Sequence, residues 1–228
     1  RSIKILDPAC GTGEFLIRAI DVLLKISKAI QNHKEKGGKY SHVGKKKKSE
    51  LSQYVTFDKE IEGQKVRTII QNNIFGVDIN EEAIEITQLN LFLKLATSSK
   101  QLPDVSKNLR VGNSLIDDKS VDPKAFDWKH AFPEEFDIVI GNPPYVQLSM
   151  NSEVKQNVKE CLIKRFESSM GRLNTFGFFT RFGIDILKND GLFGFIIPNT
   201  ILTQDYYEKL REMILDSCKI ESIVSFSD

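Results

Sequence analysis

A chain of 228 residues with 40% hydrophobic content can bury one substantial core, so a single domain is expected. Lysine and arginine number 32 against 31 aspartates and glutamates, a net charge of +1; this excludes a global basic field, and any nucleic-acid affinity must be local. Cys10, Cys161 and Cys218 lack zinc spacing, His33, His42 and His130 form no ligand cluster, and no apolar run nears the roughly 20 residues of a membrane span. Free thiols, no metal and no membrane insertion are therefore expected.

Ile3 to Leu6 reads as a strand, and Asp7-Pro8-Ala9-Cys10-Gly11-Thr12-Gly13-Glu14-Phe15 follows it. An amphipathic helix then runs from about Glu14 to Ile30, with Leu16, Ile17, Ile20, Leu23 and Leu24 apolar and Ser27 breaking the stripe. Gly11 and Gly13 permit a tight turn and a close backbone approach to a ligand. The dinucleotide fingerprint is absent, because position 16, where glycine or alanine lets helix and strand pack closely, is leucine. Gly-Thr-Gly alone is a weak signal, whereas Asp-Pro-Ala-Cys-Gly-x-Gly between strand and helix is a much stronger one.

Residues 31–72 read as an insertion, with Gly37-Gly38 and Lys45 to Lys48 in a loop and a more helical stretch from Glu50 to Ile70, interrupted by Gly63. The lysine run suits a solvated loop, with phosphate contact as the sharper alternative. Asn73 to Asn80 forms a second strand, followed by a helix from Glu81 to Leu95 with Asn80 as N-cap. In a nucleoside-binding α/β fold, an acidic residue placed like Asp78 accepts hydrogen bonds from two ribose hydroxyls, and the insertion explains its distance from the glycine turn. A helix-capping carboxylate is the plainer alternative. Leu109 to Leu115 is a third short strand with the polar pair Asn113-Ser114, where an ordinary turn is equally compatible.

Residues 116–135 are irregular, with Trp128 expected to pack at a helix–loop junction. Phe136 to Val139 then leads into Asn142-Pro143-Pro144-Tyr145, at the carboxyl end of a buried strand, where open α/β sheets bind ligands. Two prolines remove two N–H donors and fix two φ angles. Left behind are the Asn142 amide and the Pro143 carbonyl as rigid acceptors beside an aromatic ring, a surface matching an amine on a flat base. A proline-stiffened loop is the bland alternative.

A polar helix over 151–170 carries Val154, Val158, Cys161, Leu162 and Phe166 on one stripe, with Lys155, Lys159, Lys164, Arg165 and, just beyond it, Arg172 able to meet a phosphate backbone or simply water. The next helix, about 173–188, holds Phe176, Phe178, Phe179 and Phe182 at core spacing. An Asn-Asp-Gly turn, a strand from Gly191 to Pro198, a helix over 200–217 and a last strand from Ile220 to Phe226 complete the chain. Strands alternating with helices imply right-handed crossovers, hence an α/β fold with a doubly wound, largely parallel sheet and helices on both faces.

DPACGTGEFL at 7–16, NNIFGVDINEEAIEITQLNLFLKL at 72–95, VGNSL at 111–115, IVIGNPPYVQ at 138–147 and LKNDGLFGFIIPNTIL at 187–202 together carry a resemblance. The chain resembles the catalytic domain of S-adenosylmethionine-dependent DNA adenine-N6 methyltransferases, in the gamma motif order. It is most similar to the methylase domains of bifunctional type II restriction-modification enzymes and to type I modification subunits. The resemblance implies a Rossmann-like class I methyltransferase domain spanning 1–228, excised from a bacterial cytoplasmic parent with a helical region upstream and a DNA-recognition domain downstream. It implies that Asp7, Pro8, Ala9, Cys10, Gly11 and Gly13 hold the methionine part of the cofactor and Asp78 its ribose. Ile79 would pack on the cofactor's adenine, and Asn113 or Ser114 would read its amino edge. Asn142 and Pro143 would grip the target N6 amine, with Pro144 stiffening the turn and Tyr145 stacking on a base flipped out of double-stranded DNA. Alternatives left open are an RNA base or a protein glutamine amide as substrate, and a non-catalytic DNA-binding or assembly module.

Overall fold

In the computed structural model, which describes residues 2–37, 63–96, 104–132, 135–148, 154–166 and 173–226, the short apolar runs assemble into one sheet. In chain order the elements are β1 (Ile5–Asp7), α1 (Glu14–Gly37), α2 (63–73), β2 (Ile74–Asp78), α3 (Glu81–Ala96), β3 (Leu109–Val111), α4 (Trp128–Ala131) and β4 (Phe136–Gly141). They continue with α5 (Gln156–Phe166), α6 (Thr175–Asp185), β5 (Leu187–Phe195), α7 (Thr200–Thr203) and α8 (Glu208–Ser217). The strand order is β3-β2-β1-β4-β5 and every pairing is parallel, with Ile5 opposite both Ile74 and Ile138. The sheet grows one way from β1 to β3, then restarts on the other side of β1, so the order reverses between β1 and β4. That reversal opens a crevice at the carboxyl ends of those two strands.

Side chains alternate across the pleat. Ile5, Ile74 and Ile138 face Leu16, Ile20, Ile70, Ile84 and Leu91 of the helices α1 to α3. Leu6 and Val139 face the other way, toward Phe193, Phe195 and Trp128, and beyond them lie Phe176, Phe178, Phe182, Leu210 and Met213 of α6 and α8. Helices therefore cover both faces. The four α6 phenylalanines are core residues, and Trp128 sits at a helix–loop junction against Phe126 and Phe182, its indole N–H donating to the Ser114 carbonyl at 2.9 Å. The close approach that Leu16 seemed to forbid is supplied from the other side, since a Cβ on Gly76 of β2 would meet the Leu16 Cδ1 at 2.9 Å.

Several boundaries differ from the sequence reading. Asn189-Asp190-Gly191 is no turn before a strand; it lies inside β5, with Asp190 at φ 61° and a register shift against β4 between Phe136 and Ile138. Leu187 and Leu192 pair with Phe136 and Ile138 on either side of it, so the turn chemistry of Asn-Asp-Gly persists as an irregularity within the strand, which ends at Phe195 rather than Pro198. The helix expected over 200–217 is broken into α7, a 3-10 turn at Asp205–Tyr207 and α8, because Gln204 adopts extended dihedrals. Ile220 to Phe226 forms no strand: β-prone residues need a partner, and Ile223, Val224 and Phe226 stand exposed. Lys45 to Lys48 and Arg172 lie outside the described residues, as does most of the 31–72 insertion. No described helix is long and apolar enough to cross a membrane.

Candidate active site

β1 ends on Asp7, which is buried and accepts the Ala9 N–H at 3.1 Å. The chain then turns through Gly11 and Gly13, both at positive φ (52° and 85°), into α1. Neighbouring elements fix this loop. Cys10 N–H donates to the Val77 carbonyl at 3.0 Å and Gly11 N–H to Asp78 Oδ2 at 2.8 Å. From α3, the Thr87 hydroxyl donates to the Gly11 carbonyl at 2.8 Å and the Asn90 amide to that of Thr12 at 3.0 Å. Gly13 packs so tightly that a Cβ would fall 2.7 Å from Thr87 Cγ2, whereas a Cβ on Gly11 would meet nothing within 4 Å. The loop is thus rigid behind and open in front.

Asp78 closes the second side. Its Oδ1 accepts Asn80 N–H at 2.9 Å, while Asn80 itself caps α3 by accepting Glu82 N–H at 2.9 Å. The capping role falls to Asn80, and Asp78 faces the glycine turn. Ile79 is half exposed and walls an open hollow of about 650 Å³ with Glu81, Glu82, Glu85 and Lys124, whose ammonium donates to the Ile79 carbonyl at 2.9 Å. Ser114 is buried and its hydroxyl donates to the Pro8 carbonyl at 2.6 Å. The Asn113 amide donates to Asp122 Oδ2 at 2.7 Å and accepts Leu115 N–H at 3.1 Å. Ser114 lies against the glycine loop, Asn113 joins the segment around Asp122, and both side chains are engaged in holding loops together.

β4 delivers the third side. A Cβ on Gly141 would sit 2.7 Å from Asp7 Oδ1, so the ends of β1 and β4 touch and their two loops share one crevice. Pro143 is buried, while Asn142, Pro144 and Tyr145 are exposed. The Tyr145 ring stands edge-on to Phe176, centroids 6.3 Å apart, and its hydroxyl has one proton to share between two acceptors, Asn142 Oδ1 and the Ile196 carbonyl. Arg165, read as a possible phosphate contact, is held within the protein by the Leu115 carbonyl at 3.0 Å and by Asp117 at 3.3 Å.

Two participants escaped the sequence reading. Thr175, at the start of α6, donates its hydroxyl to the Pro144 carbonyl and accepts Val146 N–H at 2.9 Å, while its own N–H meets the Val146 carbonyl at 2.9 Å. Its one available signal was adjacency to the N-cap Asn174, which accepts Phe176 N–H at 3.2 Å. Ile196 contributes a main-chain carbonyl, for which no residue type is a marker. Thr175→Val keeps the shape but frees the loop after Pro144 and orphans an N–H. We expect melting to fall by an amount equivalent to about 1–3 kcal/mol. An unchanged melt would show that Thr175 does not support the loop.

Burial pushes the Asp7 carboxyl up to about 7; the Ala9 N–H opposes the rise and the Asp78 charge adds to it. The Cys10 thiol is likewise pushed far up, by burial first and by the Asp7 and Asp78 charges next, so it is inert as a nucleophile. Desolvation also raises the Tyr145 phenol, which stays a donor. Among the described residues, no group of three histidines, cysteines or carboxylates could hold a metal ion.

Residues 72–228 match the family described as Eco57I restriction-modification methylase, and residues 2–103 match the RMKL-like methyltransferase domain. The type II restriction enzyme and methyltransferase RM.Eco57I of Escherichia coli is 28% identical over 243 residues, covering 98% of this chain and 22% of that protein. Adenine-specific methyltransferase PglX of Streptomyces coelicolor is 26% identical over 193 residues, covering 70% of this chain and 14% of its own length. The cryo-EM structure of the DrdV–DNA complex superposes with a TM-score of 0.62 at 17% identity, over 94% of this chain and 19% of that one, a likeness of fold alone. The chain spans about a fifth of the length of RM.Eco57I. Because the first match takes in β2 through α8, and with them Asp78 and the whole of Asn142 to Tyr145, the chain belongs to the Eco57I restriction-modification methylase family.

Proposed function

We propose that this domain transfers a methyl group from S-adenosylmethionine to the N6 amine of an adenine flipped out of double-stranded DNA, in a restriction-modification or phage-defence system. The contact of Gly141 with Asp7 carries the reading, because it sets the glycine loop and the Asn142–Tyr145 loop at one crevice. Adenine and DNA are supported by what PglX is described as acting on and by the DNA to which DrdV is bound.

The loop fits the cofactor. Gly11 faces open space at positive φ, and the carboxylates Asp7 and Asp78 stand beside it. Bound, S-adenosylmethionine supplies a methyl group on a sulfonium, an electrophile whose leaving group is a neutral thioether. The loop from Asp7 through Pro8, Ala9, Cys10 and Gly11 to Gly13 would take the methionine end. Asp78 would accept the ribose hydroxyls, and Ile79 offers apolar surface to the adenine. Ser114 and Asn113 would shape the adenine end, the first by holding Pro8 and the second by holding Asp122.

Flipping a base costs a few kcal/mol. Stacking on Tyr145, worth roughly 1–3 kcal/mol, offsets much of this. The adenine amine is a poor nucleophile because its lone pair is delocalised into the ring. Accepting its two N–H bonds at Asn142 Oδ1 and the Pro143 carbonyl favours a pyramidal nitrogen, and the same fixed dipoles meet the positive charge that develops there. No strong general base is required, since in-line positioning can supply on the order of 7–11 kcal/mol.

We place sequence recognition, and any nuclease, in the remainder of the parent protein. The test is labelled methyl transfer by that full-length parent to DNA, RNA and protein, with the modified residue identified by mass. N6-methyladenine in DNA is the expected product. Label confined to RNA, to a glutamine amide or to another base would overturn the substrate, and no transfer at all would favour the non-catalytic module.

A further inference from the structure

Stacking on a base needs only the ring of Tyr145, and phenylalanine would offer the same face. The hydroxyl is nevertheless engaged twice, with Asn142 Oδ1 and, at 2.9 Å, with the Ile196 carbonyl. Ile196 directly follows β5, and its own N–H donates to the Gly141 carbonyl at 3.0 Å. The phenol oxygen is therefore tied to a frame made by the ends of β4 and β5. Asn142 is exposed, and among the described residues this hydroxyl is the hydrogen-bond partner of its side-chain amide. An amide ends in an acceptor oxygen and a donor nitrogen of nearly the same shape. Only the oxygen can receive an amine N–H, and an exposed side chain without a partner would turn freely.

We propose that the Tyr145 hydroxyl is a positioning group for Asn142: its one proton, shared between the Ile196 carbonyl and the amide oxygen, holds that oxygen so that its second lone pair receives an N–H of the target amine. This rests on the methyltransferase reading above. A phenol has one proton, which the two acceptors share in a three-centre bond; at Asn142 this occupies one of the oxygen's two lone pairs and leaves the other for substrate. The ring and the hydroxyl thus have separable tasks, the first holding the base and the second aiming the acceptor.

The experiment uses the full-length parent and its Tyr145→Phe variant, with 2-aminopurine replacing the target adenine in one duplex and normal adenine in another. Fluorescence reports unstacking of the flipped base, and single-turnover methylation reports the chemical step. The expected result is fluorescence and DNA affinity within twofold of wild type, with the methylation rate lowered roughly 5–10-fold, the worth of one neutral hydrogen bond. A rate equal to wild type overturns the proposal, since the hydroxyl would then be idle. Equal loss of rate and fluorescence also overturns it, by showing that the hydroxyl merely seats the ring. If the wild-type parent leaves adenine in DNA unmethylated, the underlying function fails instead.

Discussion

Asn142→Ala in the full-length parent should lower methyl transfer by about 10²–10³-fold, the usual effect of deleting one fixed dipole aimed at developing charge. Alanine takes away the oxygen proposed to meet the amine while leaving Pro143 buried and the crevice walls in place. The side chain is exposed and bonded to the Tyr145 hydroxyl, so its loss costs the fold little. Labelled methyl incorporation, read beside a thermal melt, checks both halves of this expectation. Turnover at the wild-type rate with an unchanged melt would remove Asn142 from the chemistry, and a collapsed melt would make it structural.

Asp7→Asn should reshape the pH dependence of stability. Folding holds the Asp7 carboxyl protonated up to about 7, chiefly by burial, against an ordinary value of 3.8. A raised carboxyl stabilises the fold fully below its unfolded value, and that contribution is lost as pH rises through about 7. At about 1.4 kcal/mol per unit, the difference is on the order of 4 kcal/mol. Asparagine keeps an oxygen for the Ala9 N–H and never ionises. Melts from about pH 4 to pH 8 should therefore fall for the wild type from this source and stay flatter for the variant. Parallel profiles would show that Asp7 ionises freely. An aspartate that costs stability when charged is also one that a cationic ligand relieves, which suits the mouth of the cleft.

The parts of this site that can be read from the sequence are those where an apolar strand ends in unusual chemistry. Asp7-Pro8-Ala9-Cys10-Gly11, Asp78 and Asn142 to Tyr145 each follow a β-prone run, and the doubly wound topology brings the first and last together at the strand-order reversal. What stays hidden depends on contacts between distant segments. Asp190 sits at positive φ in an irregularity within β5, flanked by Leu187 and Leu192, which pair with Phe136 and Ile138 of β4, so Asn-Asp-Gly looks like a turn before the strand until the neighbour is known. Ile220 to Phe226 has the right residues for a strand and no described partner. Gly76 makes the room that Leu16 does not, from a strand 60 positions away. Thr175 and the Ile196 carbonyl brace the Asn142–Tyr145 loop through one hydroxyl and one peptide group, and neither has a signature in residue type.

The central place of β1 affects how the protein is made. Ile5 is synthesised long before one of its strand neighbours, Ile138. The bond between Lys4 and Asp137 beside that pair closes a separation of 133 residues. At ribosomal speeds of roughly 5–20 residues per second, one flank of β1 waits on the order of ten seconds for its mate. Because the two halves of the candidate site hang from these two strands, a chain made only as far as β3 has half of its crevice. The crevice exists only when synthesis has passed β4 and the sheet has closed.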